Sequence, residues 1–506
     1  MSSSKSKFDL KTIEQLDADL RAGKLDPVKR KLEEIRYKKL DRPLIVRVAN
    51  LARRIGYQRY AIRLLGPYVR PQKPVVPPAS QEEQVEYAVN LMRLGVVGEA
   101  YKILISVDQK KNPDALLFQA FCLFNTWDYY TAIPLLEKYL RHSDVNSYQK
   151  LVAMTNLASA YTIELEFEKA ELTLNKILST ADKNEQKLLV GYTHQIYAEL
   201  SINRRRAAEA EEHIERAKKF LQNAHYRYGI YNSQWTAIVK MLSPKSVDEG
   251  KKLLKQVRND ALQKKLWEVL RDCDLYEATL TKNEEMVVSL YFGTPHEKFR
   301  QRILRIFKEK ISLPENYIWH PNAKPSHEKY LLEVSLGLDK KSGSKLKFGQ
   351  LVHKLLQILT SDFYRPFKVQ TLFGLLFPDE NYNLLSSPHK VYDLIARLRS
   401  WFKKNQIPLE VASTARGEFQ LETLKPYAIN VKPFSHLKDA IEGFFEQLKS
   451  EFKGNPFTCK DVVMLTGYSR AQAKRLLHEA VELKRLILSG KGNTTRYLIK
   501  NAAAKS

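Results

Sequence analysis

Five times in the first half of the chain, a small residue is followed twelve positions later by alanine and four beyond that by an apolar residue. The sets are Ala49/Ala61/Leu65, Ala88/Ala100/Leu104, Ala120/Ala132/Leu136, Ala158/Ala170/Leu174 and Ala198/Ala210/Ile214. Successive second alanines stand 39, 32, 38 and 40 residues apart. Small residues at paired positions let two antiparallel helices approach closely. A repeated unit of this kind cannot bury its apolar face alone, so the pattern calls for stacked helical hairpins sharing one core. A weaker sixth unit starts near Leu16, with Val28, Leu32 and Ile35, and residues 226–284 read as helical without the alanine pair. RPQKPVVPPAS reads as a loop between units, because clustered prolines cannot continue a helix.

The clearest unit, NLASAYTIELEFEKAELTLNKIL, carries Leu157, Ala158, Tyr161, Ala170 and Leu174 in the order of a tetratricopeptide repeat. Residues 1–284 thus resemble the tetratricopeptide repeat family, whose period is about 34 residues. The longer spacings here imply extended helices or loops. The resemblance implies a scaffold with a concave face that holds a protein or peptide partner.

Texture changes over residues 285–328. MVVSLYF (286–292) is β-branched and aromatic and predicts a strand, HEKFRQRILRIFKEK predicts a basic helix, and ENYIWHPNAKPSHEK is a proline-punctuated connector. His320 and His327 flank that connector without further ligands in metal-binding spacing, so they read as loop histidines.

Residues 329–424 order their parts as strands, helices and a closing hairpin. YLLEVSLGLDKKSGSKLKF reads as a hairpin around Lys-Lys-Ser-Gly, and GQLVHKLLQILTSDF as a helix with Leu351, Leu355, Leu356 and Leu359 on one face. VQTLFGLLF is stopped by Pro378. A second helix follows, with Ser387 placed to cap it, Pro388 at its first position, and Val391, Ile395, Leu398 and Phe402 as its core stripe. Its other side offers His389, Lys390, Tyr392, Arg397, Arg399, Lys403 and Lys404 against one acid, Asp393, a net of +4 from Ser386 to Asn405. Such a face suits a major groove, where Arg and Lys donate to guanine edges or phosphates. LEVASTARGEFQLE then places Arg416 at the tip of a wing. This stretch resembles the winged-helix output domain of OmpR-type response regulators, in the LFPDE and TARGEFQL segments above all. No receiver domain with an acidic phosphorylation pocket precedes it, so the resemblance does not extend to phosphorelay control.

Residues 425–506 repeat the logic. HLKDAIEGFFEQLKSEF is an amphipathic helix, Thr458 is placed to cap CKDVVMLTG, and Ser469 opens a helix with Ala473, Leu476, Leu477 and Ala480 inward. LILSGKGNTTRYLI closes as a hairpin, with Gly490 and Gly492 at the turn. The segment resembles winged-helix domains of bacterial regulators. That match implies groove contacts from Tyr468, Ser469, Arg470, Gln472, Lys474 and Arg475, and wing contacts from Lys491, Asn493, Thr494 and Arg496. The stretch holds 15 Lys/Arg against 7 Asp/Glu, a net of +8. SGKGNTT lacks the spacing of a phosphate-binding P-loop.

The whole chain has a formal charge of +26, which favours a polyanionic partner. Cys122, Cys273 and Cys459 are far apart and in no metal-type spacing, the first residues lack a signal-type apolar run, and no stretch approaches membrane-spanning length. No catalytic constellation emerges, and His194, His213 and His478 read as packing or surface residues. The expectation is a mainly α protein: a tetratricopeptide-like helical repeat array followed by two α+β winged-helix domains. It would be a cytoplasmic, non-enzymatic transcriptional regulator that binds double-stranded DNA and a protein or peptide, with no cofactor, metal or membrane. The competing expectation is a scaffold subunit whose winged helices contact protein or RNA.

Overall fold

All ten alanines of the repeated pairs are fully buried in the structure, a computed structural model. It describes residues 9–21, 24–35, 40–74, 77–183, 185–222, 224–307, 311–321, 331–434, 444–445, 448–449, 451–466, 468–490, 492 and 495–500. The chain divides into two compact units, Met1–Val269 with Phe377–Ser387, and Leu270–Leu376 with Pro388–Ser506.

The first unit is a run of helical hairpins: α1 (Leu10–Arg21) with α2 (Leu25–Glu34), α3 (Arg42–Arg54) with α4 (Gln58–Val69), and α5 (Gln81–Leu94) with α6 (Val97–Ser106). Then come α7 (Asp114–Phe124) with α8 (Tyr129–Leu140), α9 (Ser147–Ile163) with α10 (Phe167–Thr180), α11 (Lys187–Asn203) with α12 (Ala207–Leu221), and α13 (Tyr226–Leu242) with α14 (Val247–Gln263). Each alanine pair bridges one hairpin, and the expected sixth unit is α1/α2, with Leu16, Val28 and Leu32 buried. Ser80 with Glu83 and Asn146 with Gln149 form reciprocal capping boxes that start α5 and α9.

The turns repeat as well. Gly56, Gly95, Trp127, Leu165 and Arg205 all take positive φ, and each stands five residues before the second alanine of its pair. The left-handed residue ends one helix and aims the chain back along it. At the three non-glycine positions this conformation costs roughly 1–2 kcal/mol each, offset by burial of the hairpin interface. In the α13/α14 hairpin the small pair is Ala237 and Gly250, thirteen residues apart instead of twelve. A Cβ on Gly250 would meet the Ala237 carbonyl oxygen at 2.8 Å and Met241 Cγ at 2.6 Å, so only glycine allows this approach. Also in this unit, Glu99 on α6 accepts the backbone N–H of Tyr382 at 2.7 Å.

The second unit holds most of α15 (Trp267–Thr281), then α16 (Glu284–Phe292), α17 (Glu297–Ile306) and β1 (Tyr317–Trp319). The strand expected at 286–292 is therefore corrected to a helix. Asn283 Oδ1 accepts the Met286 N–H at 3.0 Å, Glu284 and Glu285 fill the first turn, and Val287 and Leu290 bury on one face. Cap and periodicity outweigh the β-propensity of the residues. The basic helix at α17 forms as expected, but Arg300 and Arg302 are buried. Arg300 donates to the carbonyls of Thr294 (2.8 Å) and Phe434 (2.5 Å).

Next come β2 (Leu331–Glu333), β3 (Leu338–Asp339), α18 (Leu351–Leu359), β4 (Phe367–Lys368), α19 (Val369–Leu376), α20 (Ser387–Lys404), β5 (Leu409–Ala415), β6 (Glu418–Thr423) and β7 (Ala428–Val431). One sheet has the order β1-β7-β2-β3, with β7 antiparallel to β1 and parallel to β2. A second has the order β4-β6-β5. A third pairs β8 (Leu486–Ser489) with β9 (Arg496–Ile499), after α21 (Cys459–Thr466) and α22 (Arg470–Glu482). The amphipathic helix expected before α21 lies mostly outside the described residues, although Phe444 and Leu448 are buried in the core of this part.

His353 on α18 is a buried neutral imidazole. Its Nδ1 accepts the Gly349 N–H at 3.1 Å and its Nε2 donates to the Val334 carbonyl at 2.8 Å. Burial pushes its pKa down to about 4. Between that value and its ordinary 6.5, the unfolded chain takes up a proton that the folded chain refuses. Stability contributed by His353 is therefore complete above pH 6.5 and falls as pH drops, by up to about 3 kcal/mol. His353→Leu is expected to cost stability at pH 7, where it strands both backbone partners, yet to flatten the loss between pH 6.5 and 4.5. Urea midpoints at both pH values check this, and equal acid sensitivity in the two proteins would contradict it.

Candidate nucleic-acid interface

The stripe Val391, Ile395, Leu398 and Phe402 fixes how α20 sits, each residue being at most 2% exposed. Burial of that stripe leaves His389, Lys390, Tyr392, Arg397, Lys403 and Lys404 exposed on the remaining surface, with Asp393 among them. The hairpin β5–β6 lies beside the helix. Arg416 is exposed at its turn and Gly417 takes φ +77°, the left-handed position the turn requires. Tyr392 links the two elements: its ring stands edge-on to Phe419 (6.0 Å) and to His389 (6.4 Å).

One sequence expectation needs correction here, and one residue gains a second role. Arg399 is exposed as expected, but it also bonds within the fold. Its Nε donates to the Val411 carbonyl at 2.9 Å, a second guanidinium nitrogen reaches the same oxygen, and the guanidinium lies 6.0 Å over Phe419. It thereby braces the β5–β6 hairpin against α20. Ser387, by contrast, does not cap α20. It is buried in the first turn with its Oγ accepting the Asn383 N–H at 2.9 Å, while Asn383 Oδ1 receives the N–H groups of Leu385 (2.9 Å) and Ser386 (3.1 Å). Asparagine four residues earlier thus organises the turn.

The second module starts from a capping box. Thr458 Oγ1 accepts the Asp461 N–H (3.3 Å), and the Asp461 carboxylate accepts the Thr458 N–H (2.8 Å). Bonds from Thr458 hold the Asp461 carboxyl below its ordinary range, with Arg496 adding a smaller pull. Ser469 caps α22 as expected, accepting the Gln472 N–H at 3.2 Å. Ala473, Leu476, Leu477 and Ala480 are buried, which turns Arg470, Gln472, Lys474 and Arg475 outward. Among the described residues no carboxylate forms an ion pair with Arg397, Lys403, Arg470, Lys474 or Arg475.

Tyr468 is the correction in this module. It is buried at 6% exposure, 6.3 Å from the Phe444 ring, and its hydroxyl would stand 2.8 Å from a Cβ on Gly349. It immediately precedes the N-cap, where an apolar residue packs back onto the helix it introduces, and so it cannot enter a groove. Arg496 is exposed at the start of β9, while Lys491, Asn493 and Thr494 lie outside the described residues. Lys345, absent from the sequence-based set, donates to the Leu465 carbonyl at 2.7 Å, a contact 120 residues apart that no local pattern signals.

Among the described residues, no cluster of three or more His, Cys, Asp or Glu could hold a metal, and no helix is long and apolar enough to cross a membrane. No protein-family model matches the chain, and no curated protein matches it. Among solved structures, it is similar to a Rap protein complexed with competence and sporulation factor, at TM-score 0.38 and 13% identity, covering 59% of this chain and 93% of that one.

Proposed function

We propose that the protein is a DNA-binding transcriptional regulator with a helical-repeat domain for a protein or peptide partner. In this reading residues 329–424 and 425–506 are two winged helix-turn-helix modules. One observation carries the reading: two helices, α20 and α22, each turn an exposed cationic side toward solvent next to a hairpin. In each, the apolar stripe fixes which side faces outward. The amino-terminal half of the outward side of α22 holds Arg470, Gln472, Lys474 and Arg475 before the first acid, Glu479. Such a helix places its first turns against base edges while the wing touches backbone. Two linked modules read adjacent half-sites with a gain in effective concentration. The reading includes a cytoplasmic location and no catalytic role.

Arg397→Ala and Arg470→Ala are each expected to weaken binding to a selected duplex by about 1–3 kcal/mol if they read bases. Mobility-shift titration checks this, and unchanged affinity in both variants removes these helices from the interface.

One feature favours a second reading for the C-terminal module alone. Met464, Leu483, Ile487 and Leu488 are large apolar residues left exposed. Exposed apolar groups suit docking to a protein surface, as in a scaffold subunit. Weak salt dependence of binding to duplex DNA would favour that alternative.

A further inference from the structure

Away from both cationic helices, the first unit contains a half-open cavity of 990 Å³ at the ends of α11, α12 and α13. Four cations converge on it from separate elements: Lys183 in the turn before α11, Lys187 in the first turn of α11, Lys219 near the end of α12, and Arg227 at the start of α13. Among the described residues no carboxylate lines it; Asp182 and Glu185 sit in the neighbouring turn, where Asp182 accepts the Glu185 N–H at 3.0 Å. Unneutralised like charges held together in a concave site raise the local concentration of anions. The starts of α11 and α13 also face this end, and no side chain caps α11, so its amide dipoles add to the field.

The rest of the lining is Leu188, Gln222 and Ala224 with the rings of Phe220, His225 and Tyr228. Phe220 stacks on buried His194 (6.0 Å, 20°), and Tyr228 stands edge-on to Tyr192 (6.4 Å). Arg227 donates to the Tyr228 hydroxyl at 3.1 Å, which ties a cation to a ring. Behind them, His194 and His213 share an Nδ1···Nδ1 hydrogen bond at 2.9 Å, and Tyr197 stacks on His213 at 3.9 Å. The wall behind the lining is thus packed. A volume of this size accommodates a ligand of several hundred daltons.

We propose that this cavity binds a phosphorylated small molecule carrying a planar ring, of the nucleoside polyphosphate class. Lys183, Lys187, Lys219 and Arg227 hold the phosphates, and Phe220 and Tyr228 take the ring. A polyphosphate matches four clustered cations, whereas an extended acidic peptide would spread its charge beyond them. The proposal is independent of DNA contact by α20 and α22.

The full-length protein titrated against a fluorescent N-methylanthraniloyl derivative of ATP is expected to show saturable binding of one ligand per chain, displaced by unlabelled ATP. Lys183→Glu with Arg227→Glu is expected to lower affinity at least tenfold without a change in melting temperature, since both side chains are exposed. Lys110→Glu with Lys111→Glu, the same charge change elsewhere on the unit, is expected to leave affinity within twofold. Phe220→Ala tests the ring, with tripolyphosphate and hexaglutamate as competitors. Absence of saturable binding, equal loss in the two double variants, or displacement by tripolyphosphate or hexaglutamate as effective as by ATP would overturn the assignment.

Discussion

Replacing Asp362 with alanine is expected to destabilise the second unit by about 3–5 kcal/mol, because it leaves the Arg271 guanidinium charged and buried without its partner. Both side chains are wholly inaccessible, and one guanidinium nitrogen lies 2.9 Å from each carboxylate oxygen. Asp362 also accepts the N–H groups of Tyr364 (3.0 Å) and Arg365 (3.1 Å), and Arg271 stands over the rings of Tyr364 (5.3 Å) and Phe299 (5.7 Å). Burial alone would raise the carboxyl pKa. The charges of Arg271 and Arg365 outweigh that and hold it below the usual range. The pair therefore contributes stability above pH 4 and loses it as acid protonates Asp362. A double variant, Arg271→Met with Asp362→Leu, removes both charges and is expected to recover most of the loss. Chemical unfolding of the single and double variants completes the cycle, and additive losses would contradict a mutually dependent pair.

The other large effect is on binding. Changing Arg397, Lys403, Arg470 and Arg475 together to glutamine removes four exposed cations and no buried contact. If each neutralises one phosphate, duplex affinity at 0.1 M salt falls by about a thousandfold, roughly 4 kcal/mol, through lost counterion release. Filter binding with a random-sequence duplex measures this. A loss below tenfold would mean that phosphates are held elsewhere.

Much of the fold was legible because it is periodic. The alanine pairs located five helical hairpins, since a position that tolerates only a small residue leaves a mark whatever surrounds it. The stripe of α20 and the Ser469 cap were equally readable, and with them the outward placement of Arg397 and Arg470. What local pattern could not supply was long-range pairing. Arg271 and Asp362 are 91 residues apart, and the alignment of β7 between β1 and β2 joins segments more than 90 residues distant. Tyr468 failed as a groove residue for the same reason, because whether a side chain at a helix edge faces solvent or a neighbouring element depends on that element. The helix at 286–292 was announced by Asn283 and two glutamates, a capping signal that the β-branched composition obscured.

The salt dependence of duplex binding decides whether α20 and α22 hold phosphates. Between about 50 and 200 mM salt, log affinity is expected to fall linearly with log salt, with a slope near −4 or steeper that becomes shallower by about 3–4 in the fourfold glutamine variant. An intact protein with no measurable duplex affinity at 50 mM, or a slope identical in both proteins, would contradict phosphate binding by these helices.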